Sequence, residues 1–257
     1  MPIALITGAS SGIGLELARI FAQNKTDLVV VARNELQLQE LSRQLESEFG
    51  VKVWILAKDL SVRESAQQIF DWCQEQKLEI QYLINNAGFG DNAFFATSDI
   101  RKQEQMIDVN IWSLTALCHL FLPGMLQSKT GKILNVASTA AFVPGPEMAV
   151  YYATKAYVLH FSEAIANELQ HTGITVTALC PGPTSSGFQA AAQMENNKLV
   201  KGKKLPSSKS VAAYGYKAMM RGKTVAIPGF GNFMTAFGVR FVSRNFATRI
   251  SRWVQEH

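Results

Sequence analysis

The sequence predicts a single α/β domain, a doubly wound parallel sheet of about seven strands with helices on both faces. Three observations predict it. Seven short apolar runs alternate with segments of helix length along the 257 residues. The runs are apolar on both faces, as strands covered by helices on each side require. A glycine-rich turn, TGASSGIG, joins the first run to the first helical segment.

The strand-like runs are Ile3–Thr7, Leu28–Ala32, Val51–Ala57, Tyr82–Asn85, Lys132–Ala137, Ile174–Cys180 and Thr224–Pro228. Ile13–Phe21 reads as the first helix. Residues 35–49 place Leu38, Leu41, Leu45 and Phe49 at spacings of three and four, one stripe of a second helix. Residues 111–126 are the longest apolar stretch, but His119, Pro123 and Gly124 interrupt it. It falls short of a membrane span and reads as a buried helix. After Cys180 the pattern weakens. PGPTSSGF reads as a loop, residues 189–204 are polar and increasingly basic, and a short helix over 207–221 precedes the last strand. Long excursions of this kind inside a compact domain are usually functional, so residues 185–222 are read as a lid.

Composition agrees with one large core, at 47% hydrophobic and 18% charged residues. No Pro-, Ser- or Gly-rich linker and no internal repeat divides the chain, so residues 1–257 are read as one domain. Residues 1–7 carry no basic n-region or cleavage-like segment, and Cys73, Cys118 and Cys180 are odd in number and widely spaced. A reduced, cytoplasmic protein is expected, with neither a disulfide frame nor a metal site. Charge is uneven. Residues 198–257 hold twelve Lys or Arg and one acid, Glu256, a charge of +11, whereas residues 1–197 carry −6.

The turn from Thr7 to Gly14 lies between a strand and a helix N-terminus, where free N–H groups and the helix dipole favour phosphate. Without side chains at Gly8, Gly12 and Gly14 the backbone can turn tightly and a pyrophosphate can come close. With this TGxxxGxG loop the chain resembles the short-chain dehydrogenase/reductase family. The resemblance implies a Rossmann-like fold and a nicotinamide dinucleotide held by Gly8, Ser10, Ser11, Gly12, Ile13 and Gly14. It also implies adenine contacts from Asp59 and Leu60 in KDL, and a cofactor wall from Asn86, Ala87 and Gly88 in NNAG. The second strand ends VVVARN. An NAD-selective site needs a carboxylate here, but Ala32 takes its place and Arg33 follows. A guanidinium can bind a 2′-phosphate through paired hydrogen bonds, so NADP(H) is expected over NAD(H).

Tyr151 and Lys155 stand four residues apart in AVYYATKAYV, one turn apart on one helix face. A free phenol, with a pKa of ~10, is a poor base at neutral pH, and a nearby ammonium lowers that value. So tuned, Tyr151 can exchange a proton with a substrate oxygen. Ser138 ends the fifth strand, at the edge where such sheets bind ligands, and its hydroxyl can hold that oxygen. Tyr152 does not match the pattern, because Ala156 lies four residues on. The Ser138–Tyr151 spacing matches the family's. The resemblance implies that Lys155 also binds the nicotinamide ribose and that Asn110, in MIDVNIWS, holds a water in a proton relay. It further implies that Pro181, Gly182, Pro183 and Thr184 orient the carboxamide, with Ser186 where many relatives carry threonine. It covers about residues 2–187 and fades afterwards.

The expected activity is an NADPH-dependent interconversion of a carbonyl and an alcohol. The substrate is expected to be an apolar small molecule, since lid and tail supply Phe188, Met194, Phe230, Phe233 and Met234. Two alternatives stand beside it: reduction of a 3-oxoacyl thioester, and a regulatory dinucleotide-binding protein with idle catalysis. Relatives are often homodimers or homotetramers. Trp112, Leu114, Leu117, Leu120 and Phe121 could form such an interface or fill the core. Residues 235–257 read as a basic amphipathic extension. Val239, Val242, Phe246, Ile250, Trp253 and Val254 fall on one helical stripe, with Arg240, Arg244, Arg249 and Arg252 beside or opposite it. The stripe could pack on the domain or a partner subunit, rest on an anionic membrane, or steer an acidic acyl carrier. No base-reading or stacking motif accompanies the charge, so nucleic acid is not expected.

Overall fold

Each of the seven apolar runs forms a strand in the computed structural model, which describes residues 1–192, 202 and 204–255. The strands are β1 (Ile3–Thr7), β2 (Asp27–Ala32), β3 (Val53–Ala57), β4 (Ile80–Asn85), β5 (Gly131–Val136), β6 (Ile174–Leu179) and β7 (Val225–Ala226). They form one sheet in the order β3-β2-β1-β4-β5-β6-β7, with every neighbouring pair parallel. The chain starts in the middle, winds outward through β2 and β3, then returns to lay down β4 on the other side of β1. The crevice at the carboxyl ends of β1 and β4 is therefore the ligand site this topology provides. β7 is shorter than expected, because this edge strand pairs only through Ala178 with Val225 and Leu179 with Ala226.

The helices are α1 (Gly12–Gln23), α2 (Glu35–Phe49), α3 (Ser65–Glu75), α4 (Ile100–Ile107), α5 (Leu114–Ser128), α6 (Ala149–Glu168), α7 (Phe188–Ala191), α8 (Ser208–Met220), α9 (Phe230–Gly238) and α10 (Arg244–Gln255). The two-residue period of the strands divides the core. Ala4 and Ile6 of β1 face a layer with Leu17, Phe21, Leu38 and Leu45, whereas Leu5 faces Ile69, Leu117 and Val158. The stripe expected over residues 35–49 explains α2. Asn34 caps it, accepting from the Gln37 N–H at 3.1 Å, and Gly50 ends it in the left-handed conformation at φ 64°.

The apolar stretch of residues 111–126 belongs to a longer continuous helical segment, Ile100–Ser128, which by length and composition alone could cross a membrane. Here it packs on the sheet, burying Leu114, Leu117, Cys118, Phe121 and Met125. Leu114, Leu117 and Phe121 thus fill the core, while Trp112 stays outside with the Arg63 guanidinium 5.6 Å from its ring. All three cysteines are buried and free. The middle of the expected lid, Met194 included, lies outside the described residues.

The tail departs from the single helix read in the sequence. A 3₁₀ turn (Val239–Phe241) follows α9, Val242 is extended, and α10 starts afresh at Arg244. The expected stripe is therefore broken. Among the described side chains of α10, Ala247 and Ser251 are buried, while Phe246, Ile250 and Trp253 are exposed; the Val254 side chain lies outside the described set.

Candidate active site

A single cavity of about 1170 Å³ runs over the carboxyl ends of the strands. Its floor at one end is the glycine turn. Gly8 and Gly12 adopt φ +66° and +57°, where a side chain would be strained. Gly14 serves differently: a Cβ there would lie 2.2 Å from the Gly8 carbonyl oxygen, so Gly14 lets α1 close against the turn from behind the cavity wall. The turn is held from β4. Asn86 Nδ2 donates to the carbonyls of Thr7 (2.9 Å) and Gly8 (3.2 Å), and Thr7 Oγ1 accepts the N–H groups of Asn86 and Ala87, each at 3.0 Å. Ser11 precedes α1 in an extended conformation without capping it through its side chain. Ser10, Ser11, Gly12 and Ile13 therefore bring the helix N-terminus to the cavity. The turn fits a pyrophosphate in shape and in dipole.

Toward β2 and β3 the cavity is lined by Arg33, Asn34, Lys58, Asp59 and Leu60. Asp59 Oδ1 accepts from the N–H and hydroxyl of Ser61, at 2.9 and 2.8 Å. The wall beyond the glycine turn is Asn86, Ala87 and Gly88. A Cβ on Gly88 would lie 2.9 Å from Asn110 Oδ1 and 3.3 Å from Lys155 Nζ, so a side chain there would have to displace these groups.

Ser138, Tyr151 and Lys155 meet at the far end. The Tyr151 phenol stands beside the Ser138 hydroxyl. Ser138 Oγ accepts from the Ala140 N–H at 3.1 Å, which fixes it at the end of β5. Lys155 Nζ donates to the Val136 carbonyl at 2.8 Å and lies 5.8 Å from the Tyr151 ring centre. The protonation energetics differ from the expectation. Burial pushes the Tyr151 phenol above its ordinary value of 10.0, and only the Ser138 hydroxyl opposes it. Burial pulls the Lys155 ammonium down from 10.5 to about 8. Lys155 turns toward Val136 and is itself desolvated, so the protein's own groups leave Tyr151 a firmly neutral phenol.

Asn110 lies behind the cavity, 1% exposed, in a π-helical turn (Asp108–Ser113) between α4 and α5. Its Oδ1 accepts from Phe89 N at 3.1 Å, and its Nδ2 donates to Phe89 O and Thr154 Oγ1, both at 3.0 Å. It ties the segment after β4 to the helix carrying Tyr151. Past β6, Pro181, Gly182, Pro183, Thr184 and Ser186 line the cavity, and Thr184 Oγ1 donates to the Gly182 carbonyl at 2.9 Å.

The profile described as "short chain dehydrogenase" matches residues 2–197. The chain belongs to that family. A short-chain dehydrogenase from Sphingobium yanoikuyae, solved in complex with NADPH, is 32% identical, with a TM-score of 0.84 over 94% of each chain. The bulky-bulky ketone specific alcohol dehydrogenase from Comamonas testosteroni is 28% identical, with a TM-score of 0.80 over 94% of this chain and 92% of that one. The very-long-chain 3-oxoacyl-CoA reductase of Anas platyrhynchos is 32% identical over 184 residues, 69% of this chain and 58% of that protein.

This short-chain dehydrogenase builds the remaining wall from Phe188 and Met234, both expected at the substrate, and from residues the sequence did not assign to the cavity. Phe89, Val143 and Met148 flank Tyr151, and Phe188 packs on its ring with centres 5.3 Å apart. Met234, Val239, Val242 and Ile250 close the cavity from the C-terminal segment. Phe230 and Phe233, expected at the substrate, do not line it; Phe233 faces a neighbouring groove and Phe230 is exposed. Tyr152, set aside in the sequence for lack of a lysine, also lines the cavity and is hydrogen-bonded to Ser251 of α10. No local signal marks that role, because the two residues are far apart in the chain.

Proposed function

We propose that this oxidoreductase interconverts a carbonyl and an alcohol on an apolar substrate, with NADP(H) as cofactor and Tyr151 as general acid and base. The reading is carried by one cavity that holds the glycine turn and Arg33 at one end and the Ser138–Tyr151–Lys155 corner at the other. The dinucleotide would supply or accept the hydride. The glycine turn and the N-terminus of α1 would hold its pyrophosphate. Arg33, with Lys58 nearby and no acid at Ala32, would favour a 2′-phosphate. Ser138 would hold the substrate oxygen and align it with Tyr151. A phenol raised by burial is neutral at pH 7, so Tyr151 is suited to donate its proton in the reductive direction. Lys155 would bind the ribose hydroxyls. Phe188, Met148 and Val143 would exclude water from the corner.

The deciding experiment measures oxidation of NADPH and of NADH across ketones, aldehydes and 3-oxoacyl esters. Turnover with NADPH that Tyr151→Phe removes supports the reading. NADPH binding without turnover on any carbonyl favours the regulatory alternative. Reduction of a 3-oxoacyl thioester is the second reading, favoured by the +11 charge of residues 198–257, which suits an acidic carrier or coenzyme ester. Turnover of simple ketones but not of thioesters would remove it.

A further inference from the structure

We propose that the α9–α10 hairpin docks on the surface of an anionic lipid bilayer. The proposal goes beyond the reaction above and does not depend on it. The hairpin inverts the usual use of an amphipathic helix. α10 is seated through small residues, Ala247 and Ser251, with Ser251 hydrogen-bonded to Tyr152. Its aromatic side chains stand outside: Phe246 is 51% exposed and Trp253 71%. Phe230 (79%) and Phe241 (75%) extend the same display from α9 and the turn after it. Between them Phe233 stacks on Phe237 and Phe237 meets Phe241, and such a run of exposed rings marks an interaction surface.

Charge identifies the partner. Arg240, Arg244, Arg249 and Arg252 are all exposed, and residues 198–255 contain no Asp or Glu. Among the described residues, none of Arg240, Arg244 and Arg249 lies within ion-pair distance of a carboxylate. A second copy of the chain is a poor occupant, since a two-fold interface sets the same patch against itself and would oppose arginine to arginine. An anionic bilayer satisfies both features, with aromatic rings at the acyl boundary and guanidinium groups among the headgroups. The inner side of the hairpin, through Met234, Val239, Val242 and Ile250, is the apolar wall of the catalytic cavity. Docking would therefore bring that wall to the lipid, the phase in which apolar substrates concentrate.

The test is flotation of the full-length protein with phosphatidylcholine vesicles that contain or lack phosphatidylserine. Three proteins are compared: wild type, the R240Q/R244Q/R249Q variant and the F241S/F246S/W253S variant. None of the six substituted side chains lines the catalytic cavity. Wild type is expected to float with phosphatidylserine vesicles only, and to be released at about 1 M salt, where the Debye length is about 3 Å. At about fivefold per arginine, the charge variant should bind about a hundredfold more weakly. The ring variant should lose binding while keeping the wild-type melting temperature. Absence of wild-type flotation, equal flotation with both vesicles, or full retention by either variant overturns the proposal. So does a solution mass that falls from dimer to monomer in the ring variant, because the rings would then be covered by a second copy.

Discussion

Ala4, Leu5 and Ile6 of β1 are completely buried, whereas Phe230, Phe241 and Trp253 near the other end of the chain are more than 70% exposed. Both regions border the same cavity, yet they use apolar residues in opposite ways. In the sheet, strands buried on both faces fix the backbone, and the backbone places Ser138, the glycine turn and Asn86. In the hairpin, small residues provide the seat of α10 and the large aromatic rings are left on the surface. The sheet region is thus a frame in which local errors propagate to the site. The hairpin is a wall attached at a few points, notably Tyr152 to Ser251, and its outer face carries little of the fold's stability.

Substitutions can break or sharpen this contrast. The largest expected effect is Tyr151→Phe, which should lower kcat by about a hundredfold or more, the range for loss of a general acid. NADPH affinity, read by cofactor fluorescence, should persist. Next is Gly14→Ala, whose Cβ would lie 2.2 Å from the Gly8 carbonyl. Moving the backbone should cost about 3 kcal/mol, visible as a lower denaturation midpoint, and weaken NADPH binding in parallel. If Gly14→Ala folds and binds normally, the frame is less rigid than the contrast requires. Arg33→Ala should raise the Kd for NADPH about tenfold, the worth of a lost charged hydrogen bond, and leave that for NADH unchanged.

Lys155→Met is smaller and opposite in sign for stability. The folded ammonium titrates at about 8 and the unfolded one at 10.5. Below pH 8 the folded protein retains a buried charge, so the variant should be more stable by about 1 kcal/mol, net of the lost bond to Val136. Between pH 8 and 10.5 the folded wild type releases a proton that the unfolded chain keeps. Wild-type stability should therefore rise relative to the variant, and the variant's advantage in melting temperature should shrink and then reverse. A gap that does not change with pH would mean that Lys155 is not desolvated. The smallest effect is Phe246→Ser, expected to change stability by no more than about 0.5 kcal/mol in a denaturant titration. A larger loss would show that α10 is held by more than its small residues, and would draw the two regions together.

The sequence by itself determined the strands, the glycine turn and the corner residues, because each rests on short-range pattern. Short runs apolar on both faces mark the strands, three-and-four spacing marks α2, and a four-residue step puts Tyr151 and Lys155 on one face of α6. Only the tertiary structure decided the rest. The π turn at Asn110 is held by Phe89, 21 residues away, and by Thr154, 44 away. Asn86 braces a turn 78 residues upstream. The tail breaks after Phe241, where α10 turns back to lay Ala247 and Ser251 against the domain, and the low Lys155 and high Tyr151 pKa values arise from burial by distant segments. Such contacts join residues whose separation along the chain carries no periodic signature, so they exist only once the backbone has closed on itself.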